Sequence, residues 1–316
     1  MNFRLNIIAF ILALISLLCD AQDPFFSNFT SNLIYVNPSY TSSITNPQIT
    51  LTYRNQWPAL SGAFVNYGAT ASMPIKKFNS GIGFFFLNDI QGGGIITITS
   101  LNSIYAYRIK IRSDIYLNAG LQSSYYLENL DSESLVFESD IRNVSGTYYG
   151  TEVFEATKNN FWDFSLGFMA EVKKIINIGF SVQHLTQPYR YFSLSDNSRL
   201  YRKYSFHASC EIPLSEGYRR NMPVIIPSVM FQNHRQHNRI NYGAGLLMNP
   251  LFAGIWAQNN LKFNFSSLTV AAGYVSANHR IIYNYDINLT GTNLLDLNMG
   301  AHEITFLLNF RYKEKR

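Results

Sequence analysis

The chain is poor in cysteine, in charge and in long apolar runs, and each shortage excludes something. It has two cysteines, Cys19 and Cys210. Cys19 falls in the leader described below, so the exported chain has no partner for Cys210 and cannot form an intramolecular disulfide. No stretch after the leader approaches the roughly 18 unbroken apolar residues of a membrane helix, so a helical anchor is excluded. Charged residues make up only 14% of the chain, whereas a soluble secreted β-sandwich, the rival reading, would more often carry Lys and Glu on its outer face. The net charge of +5 is not gathered into a nucleic-acid footprint. Its local clusters are the tail Arg311 to Arg316 and the pair Arg219-Arg220 beside Gly217. Both read as solvated ends near lipid headgroups. The sequence also lacks a nucleophile elbow, a phosphate loop and a dinucleotide fingerprint. Gly92-Gly93-Gly94 is followed by no helix and reads as a hairpin turn.

The first 21 residues have the form of a secretory signal. Arg4 provides the positive start, Ile7 to Leu18 the short apolar stretch, and Cys19 and Ala21 the small residues before a cut at Gln22. Removing this leader takes away one Arg and one Asp and leaves the net charge unchanged. Cys19 is not read as a lipoprotein site, because bulky Leu18 precedes it. The chain is expected to be exported.

Aromatic residues, by contrast, are plentiful. Phenylalanine (24) and tyrosine (21) far outnumber tryptophan (3), and they recur on one side of short alternating stretches. Phe164, Leu166, Phe168, Ala170 and Val172 alternate with Ser165, Gly167, Met169 and Glu171. Ile115, Leu117, Ala119 and Leu121 alternate with Tyr116, Asn118, Gly120 and Gln122. Strand side chains point to opposite faces in turn. An apolar face opposed by small and uncharged polar residues suits lipid outside and a wetted lumen inside. The period predicts spans at 48–55, 62–73, 80–89, 95–109, 113–128, 161–173, 175–186, 200–213, 223–233, 238–249, 251–259, 267–276, 279–290 and 301–312. About fourteen antiparallel strands, an even number, therefore predict an all-β transmembrane outer-membrane barrel, with 12 to 16 as the range. Pro227 inside a span implies a bulge or an irregular strand end.

Tight connections at Lys173-Lys174 and Asn249-Pro250 alternate with long ones at 128–160, 187–200 and 213–223. The longest is acidic, with Glu128, Asp131, Glu133, Glu138, Asp140, Glu152 and Glu155 against Arg142 and Lys158, and is read as a solvated or partner-contacting excursion. The organisation expected is a signal peptide (1–21), an irregular segment (22–46) folding into the lumen, a barrel (47–312) and a charged tail (313–316).

Residues that could carry chemistry are few. His234 and His237 have chelating spacing but fall between two strands, and read as a turn-exposed polar pair rather than a metal site. His302 and Glu303 are adjacent on a span and face opposite ways, so they do not share a ligand; a buried lumenal hydrogen bond is the expected role. Asp286 lies inside a span and should face the lumen as a salt-bridge partner, since a charge in lipid is costly. Arg54 and Trp57 at the end of the first span suit a membrane interface or a lumenal contact. No convergent Ser, His and acid set can be assembled at one rim, so no enzyme, cofactor or metal is expected.

Several segments together resemble the PorP/SprF family of outer-membrane proteins. Ala21-Gln22-Asp23-Pro24 with Phe26-Ser27 is similar to the family's mature N-terminus. Tyr35-Val36-Asn37-Pro38-Ser39-Tyr40 is similar to its Asn-Pro-Ala segment, with Ser39 to Ser42 departing from the usual small-residue and glycine continuation. The most specific match is Tyr53-Arg54-Asn55-Gln56-Trp57-Pro58. Gly81-Ile82-Gly83 leading to Asn88-Asp89, Ile226-Pro227-Ser228-Val229-Met230-Phe231 and Gly300-Ala301-His302-Glu303-Ile304 follow in family order.

The resemblance implies a non-enzymatic, cell-surface barrel of type IX protein secretion and gliding motility. Its expected partners are outer-membrane lipid, a secreted protein with a C-terminal sorting domain, and periplasmic subunits of the secretion apparatus, with no nucleic acid. The motif residues Asn37, Pro38, Tyr53 to Pro58, Asn88, Asp89, Gly300, His302 and Glu303 are expected to shape the barrel or make contacts. The alternative is a passive channel for a small solute.

Overall fold

The computed structural model describes residues 23–135, 157–190, 199–214, 222–235, 237–261, 264–289 and 300–310. The expected signal peptide, the charged tail and most of the acidic excursion lie outside the described residues. The strands are β1 (Gln48–Gln56), β2 (Phe64–Ile75), β3 (Ser80–Gln91), β4 (Ile96–Arg112), β5 (Ile115–Leu130), β6 (Lys158–Val172), β7 (Ile176–Gln183), β8 (Lys203–Cys210), β9 (Ile212–Pro213), β10 (Val224–His234), β11 (His237–Met248), β12 (Leu251–Asn259), β13 (Phe265–Val275), β14 (His279–Asn288) and β15 (Ala301–Asn309).

All are antiparallel to their neighbours, and β1 pairs with β15, so the sheet closes on itself. The short β9 and β8 share one partner, β10, and form a single stave; the ring therefore has fourteen. Their ladder is interrupted opposite Ile226 and Pro227, where proline has no N–H to donate. Apart from the short β9, which pairs with β10 alone, every described strand is paired on both sides, so closure satisfies nearly all of the ladder within the sheet, as a bilayer demands. Each predicted span has its strand, with ends displaced by a few residues.

The alternation is that of a membrane barrel. Outward residues such as Leu51, Tyr67, Phe84, Leu121, Phe164 and Phe168 are exposed, and Trp162 is 60% exposed. Inward residues such as Thr50, Asn66, Asn102, Asn118, Ser124 and Ser165 are buried. A protein with polar residues inside and large apolar ones outside is stable only when lipid covers the outside.

Connections at 76–79, 113–114, 173–175, 249–250 and 276–278 lie at one end with the start of β1 and the end of β15. Short turns and both strand termini mark this end as periplasmic. The 214–223 connection, expected as a long external loop, joins β9 to β10 at this same end. Glu128 is corrected too: β5 runs on to Leu130, so Glu128 is not part of a solvated loop. Its buried carboxylate takes an ion pair from Arg190 Nη2 at 2.6 Å inside the external mouth.

Candidate functional site

The lumen is not a water-filled pore. Residues 23–46 run through it as three short turns: 3-10 at Phe29–Ser31, α at Leu33–Val36 and 3-10 at Pro38–Ser42. The sequence encodes this locally. Asn28 Oδ1 accepts from Thr30 N at 3.0 Å, and Asn37 Oδ1 accepts from Ser39 N at 3.0 Å. Asn before a turn satisfies its first free amide, and Pro38 follows at the first helical position, where it has no N–H to orphan. The Asn37-Pro38 motif is therefore a capping device.

Apolar side chains of this plug pack against apolar patches on the otherwise polar inner wall. Phe29 and Val36 pack with Met230, Phe252, Trp256 and Ile282, while Phe26 and Ile34 pack with Phe85, Leu87 and Ile104. The wall under Asn37 and Pro38 is carved out by glycine. A Cβ on Gly120 would overlap the Pro38–Ser39 backbone, and one on Gly167 would overlap Asn37 Oδ1. Gly120 and Gly167 are directly opposite on β5 and β6, so together they form a recess one side chain deep.

Asn37 is fully buried in that recess. Its Nδ2 donates to the carbonyls of Phe168 (3.0 Å) and Phe180 (3.3 Å) and lies 3.1 Å from His207 Nε2. Asn37→Asp keeps the shape and removes the donors. Losing these bonds and setting a buried carboxylate against two carbonyls costs about 1–3 kcal/mol, so urea titration of the barrel in lipid should show this variant clearly less stable. An unchanged midpoint would show that the plug does not contribute to stability.

At the seam where the barrel closes, Arg54 on β1 is 1% exposed. Its Nη1 donates to Asp286 Oδ2 on β14 at 2.8 Å and lies 3.7 Å from Glu303 Oε2 on β15. The plug joins this cluster through Ser27. Its backbone N donates to Glu303 Oε2 (2.6 Å), its hydroxyl donates to Asp286 Oδ2 (2.9 Å) and also accepts from Arg54. Thr269 and Asn284 take the remaining carboxylate oxygens at 2.6 and 3.1 Å. Register makes the pairing: Arg54 is opposite Glu303, and Glu303 opposite Asn284. Buried charges of this kind persist only when paired and hydrogen-bonded throughout.

A second latch holds the plug's first described residue. Beyond Gln183 the chain turns through His184 at φ 59°, a left-handed residue that brings the ring inward. His184 Nδ1 lies 2.8 Å from Asp163 Oδ2, and Nε2 lies 2.9 Å from Asp23 Oδ2. Lys203 Nζ also pairs with Asp23 Oδ2 at 2.9 Å. Burial alone would lower the His184 pKa, but the charge of Asp23 and the hydrogen bonds to both carboxylates outweigh it and hold it above its ordinary 6.5. Burial would raise Asp23, yet Lys203 and His184 hold it well below 3.8.

The signs define a window. A raised His contributes fully below 6.5 and is lost as pH climbs through its folded value; a lowered Asp contributes fully above 3.8 and is lost as pH falls through its own. The stability difference between the wild type and His184→Gln should thus be largest between pH 3.8 and 6.5 and shrink above that range. Unfolding titrations across pH measure it, and a flat difference would rule the latch out.

The other sequence-selected residues fall on both faces. Glu303 and Asp89 face inward, and Asp89 accepts from Asn66 (2.5 Å) and Gln91 (2.6 Å). His302 does not take the expected lumenal hydrogen bond. It faces outward, 2.7 Å from Tyr283 Oη, because neighbouring strand residues alternate. Tyr53 is outward and stacks obliquely on Tyr67, and Asn88 donates to Thr99 on the outer face at 2.8 Å. Arg54 and Trp57 separate: the arginine is lumenal, while Trp57 packs edge-on against Phe64 and its backbone N donates to the Gly300 carbonyl. Gln56 accepts from Arg54 at 3.3 Å; Asn55 lies opposite His302; Pro58 opens the turn after Trp57.

His234 ends β10 and His237 opens β11 opposite it, with two residues between them. His237 is exposed as expected, His234 is half-buried, and both line a lumenal cavity at the external mouth. Among the described residues, no three metal-ligating side chains gather at one place. Sequence reasoning missed Asp163, His184 and Lys203, and gave no role to Asp23 and Ser27 beyond their place in the family-like N-terminal segment. The argument used for Asp286, that a charge inside a span must face the lumen, would have found Asp163 and Lys203.

The chain matches the profile of the "Type IX secretion system membrane protein PorP/SprF" over residues 18–308. It belongs to the PorP/SprF family. A search of curated proteins finds no match. Among solved structures, the toluene transporter TodX of P. putida is similar at 11% identity over 87% of this chain and 93% of that one, with a TM-score of 0.48. The KdgM porin is similar at 9% identity over 84% and 99%, with a TM-score of 0.40. This PorP/SprF protein is an outer-membrane barrel associated with type IX secretion.

Proposed function

We propose that the barrel works by docking and not by conduction, holding a secreted protein's C-terminal sorting domain or a subunit of the secretion apparatus at the cell surface. It carries out no reaction of its own in this reading. One observation supports it above the rest: the lumen is occupied by residues 23–46, tied down at Asp23, Ser27 and Asn37. A channel needs a path, and this path is packed with side chains of its own chain. External strand ends and the mouth above the plug then remain as the surfaces available to a partner.

The test is gentle detergent extraction of the tagged protein from outer membranes of its own host, followed by mass spectrometry. Recovery of a large secreted protein ending in a sorting domain supports a dedicated surface anchor. Recovery of periplasmic apparatus subunits supports a role within the machinery. A partner-free barrel that conducts one solute selectively in planar bilayers would replace docking with the passive-channel reading.

A further inference from the structure

Between the plug and the inward faces of β10, β11 and β12 lies a cavity of about 140 Å³ at the external mouth. One of its cations has no hydrogen-bond partner among the described residues. Arg239 of β11 lines it, with its guanidinium carbon 3.8 Å from the centre of the Phe25 ring. Arg54 approaches the same ring at 4.6 Å, but its charge is already met by Asp286 and Glu303. Arg239 has no ion pair and no side-chain hydrogen bond among the described residues; its one close contact there is the aromatic ring. The only acid in the cavity lining is Asp23, and that carboxylate is taken by His184 and Lys203. The nearest carboxylates, Asp286 and Glu303, are bonded to Arg54 and Ser27, so the donors of the Arg239 fork open onto the cavity with no protein acceptor at hydrogen-bond distance among the described residues.

The geometry points to a carboxylate-binding site in this cavity, with Arg239 as the group that pairs with the ligand and Phe25 as its floor. What the Arg239 fork lacks is an acceptor at hydrogen-bond distance, and a ligand with two acceptor oxygens supplies it. The planar fork of a guanidinium matches the two oxygens of a carboxylate, and the pair is strengthened where water is partly excluded. Gln232 and Gln258, whose amides donate to Ser205 and Ser266, also line the cavity, and His237 stands at the rim. The volume admits a carboxylate with a short carbon stem, not a folded domain. A free organic acid and an acidic residue or C-terminus of an extended peptide share this chemistry. The site stands on its own residues and does not depend on the docking reading.

Calorimetry on the full-length barrel in nanodiscs tests the site with four probes: propionate, propionamide, a short peptide ending in a free carboxylate and the same peptide amidated. The expected result is binding of the carboxylates and not of the amides. Arg239→Gln should weaken binding by about tenfold or more, the equivalent of about 1.4 kcal/mol. Arg239→Lys, which keeps the charge and loses the fork, should fall between. Arg202→Gln, which changes an exposed arginine bonded to the Leu185 carbonyl, should bind as the wild type does. Binding of propionate shows that a free acid suffices, and binding of the peptide alone assigns the ligand to a polypeptide; either supports the site. Equal binding of acid and amide, undiminished affinity in a folded Arg239→Gln barrel, or no carboxylate binding by the folded wild type would overturn it.

Discussion

Arg54→Met is expected to cost the barrel about 3–5 kcal/mol, the penalty for leaving buried charge without its partner. Two carboxylates, Asp286 and Glu303, would remain in the lumen facing each other, with only Thr269, Asn284 and Ser27 to solvate them. Neither can turn toward water, because both lie on inward positions of paired strands. Reversible urea unfolding in lipid vesicles measures the loss. The cause can be separated from lost packing by removing the acids as well. Arg54→Met combined with Asp286→Asn and Glu303→Gln should recover most of the stability, since a neutral cluster has no uncompensated charge. If the single substitution costs less than about 1 kcal/mol, in the range of an exposed ion pair, then water reaches the seam and the cluster is not a structural lock.

Gly120→Leu should release the plug while leaving the wall intact. The substitution is compatible with a strand, and its backbone pairing with Gly167 and Ala106 needs no change. The new side chain, however, would fill the recess in which Pro38 and Ser39 sit. Those are backbone atoms that cannot rotate away. Overpacking of this kind displaces whichever neighbour is least tightly held, and a ladder bonded on both sides outlasts a short capped turn. In planar bilayers the wild type is expected to be electrically silent and Gly120→Leu to show discrete openings. Protease should also reach residues 23–46 in the variant alone. Ala119→Leu is the control, one residue along on the lipid face, and should behave as the wild type. A silent Gly120→Leu barrel with its N-terminal segment still protected would mean the plug tolerates a full side chain beneath it.

The wall was legible in the sequence because lipid imposes a simple rule on it. Every second residue must be apolar, and that period survives local irregularity, so even β10 with its internal Pro227 was found. The interior obeys no such rule. Whether a lumenal Asp meets an Arg, a His or a plug serine depends on strand register and on a segment far away in sequence. Asp286 was recognisable as lumenal and paired, yet nothing near it named Arg54. Glu128 was misplaced because an acidic residue at a strand end looks the same whether it belongs to the span or to the loop. His234 looked exposed because the sequence did not show that β10 runs on to within two residues of β11. Asp23 and Ser27 sit in a stretch without periodicity, and their roles exist only once the barrel surrounds them.

The seam also dictates an order of assembly. Ser27 and Glu303, which bond there, are 276 residues apart, and Arg54 and Asp286 are 232 apart. Contacts this distant form late, after most of the chain-closure entropy has been met by nearer pairings. A partly built sheet that has β1 but not yet β15 presents an unpaired strand edge and an unmatched guanidinium at one place. Both defects vanish in a single step when the last strand docks with Ser27 already inside. A plug bonded to the last strand in this way would be enclosed by the closing wall instead of being threaded into a finished one, and a chain cut short of β15 would keep both its open edge and its stranded charge.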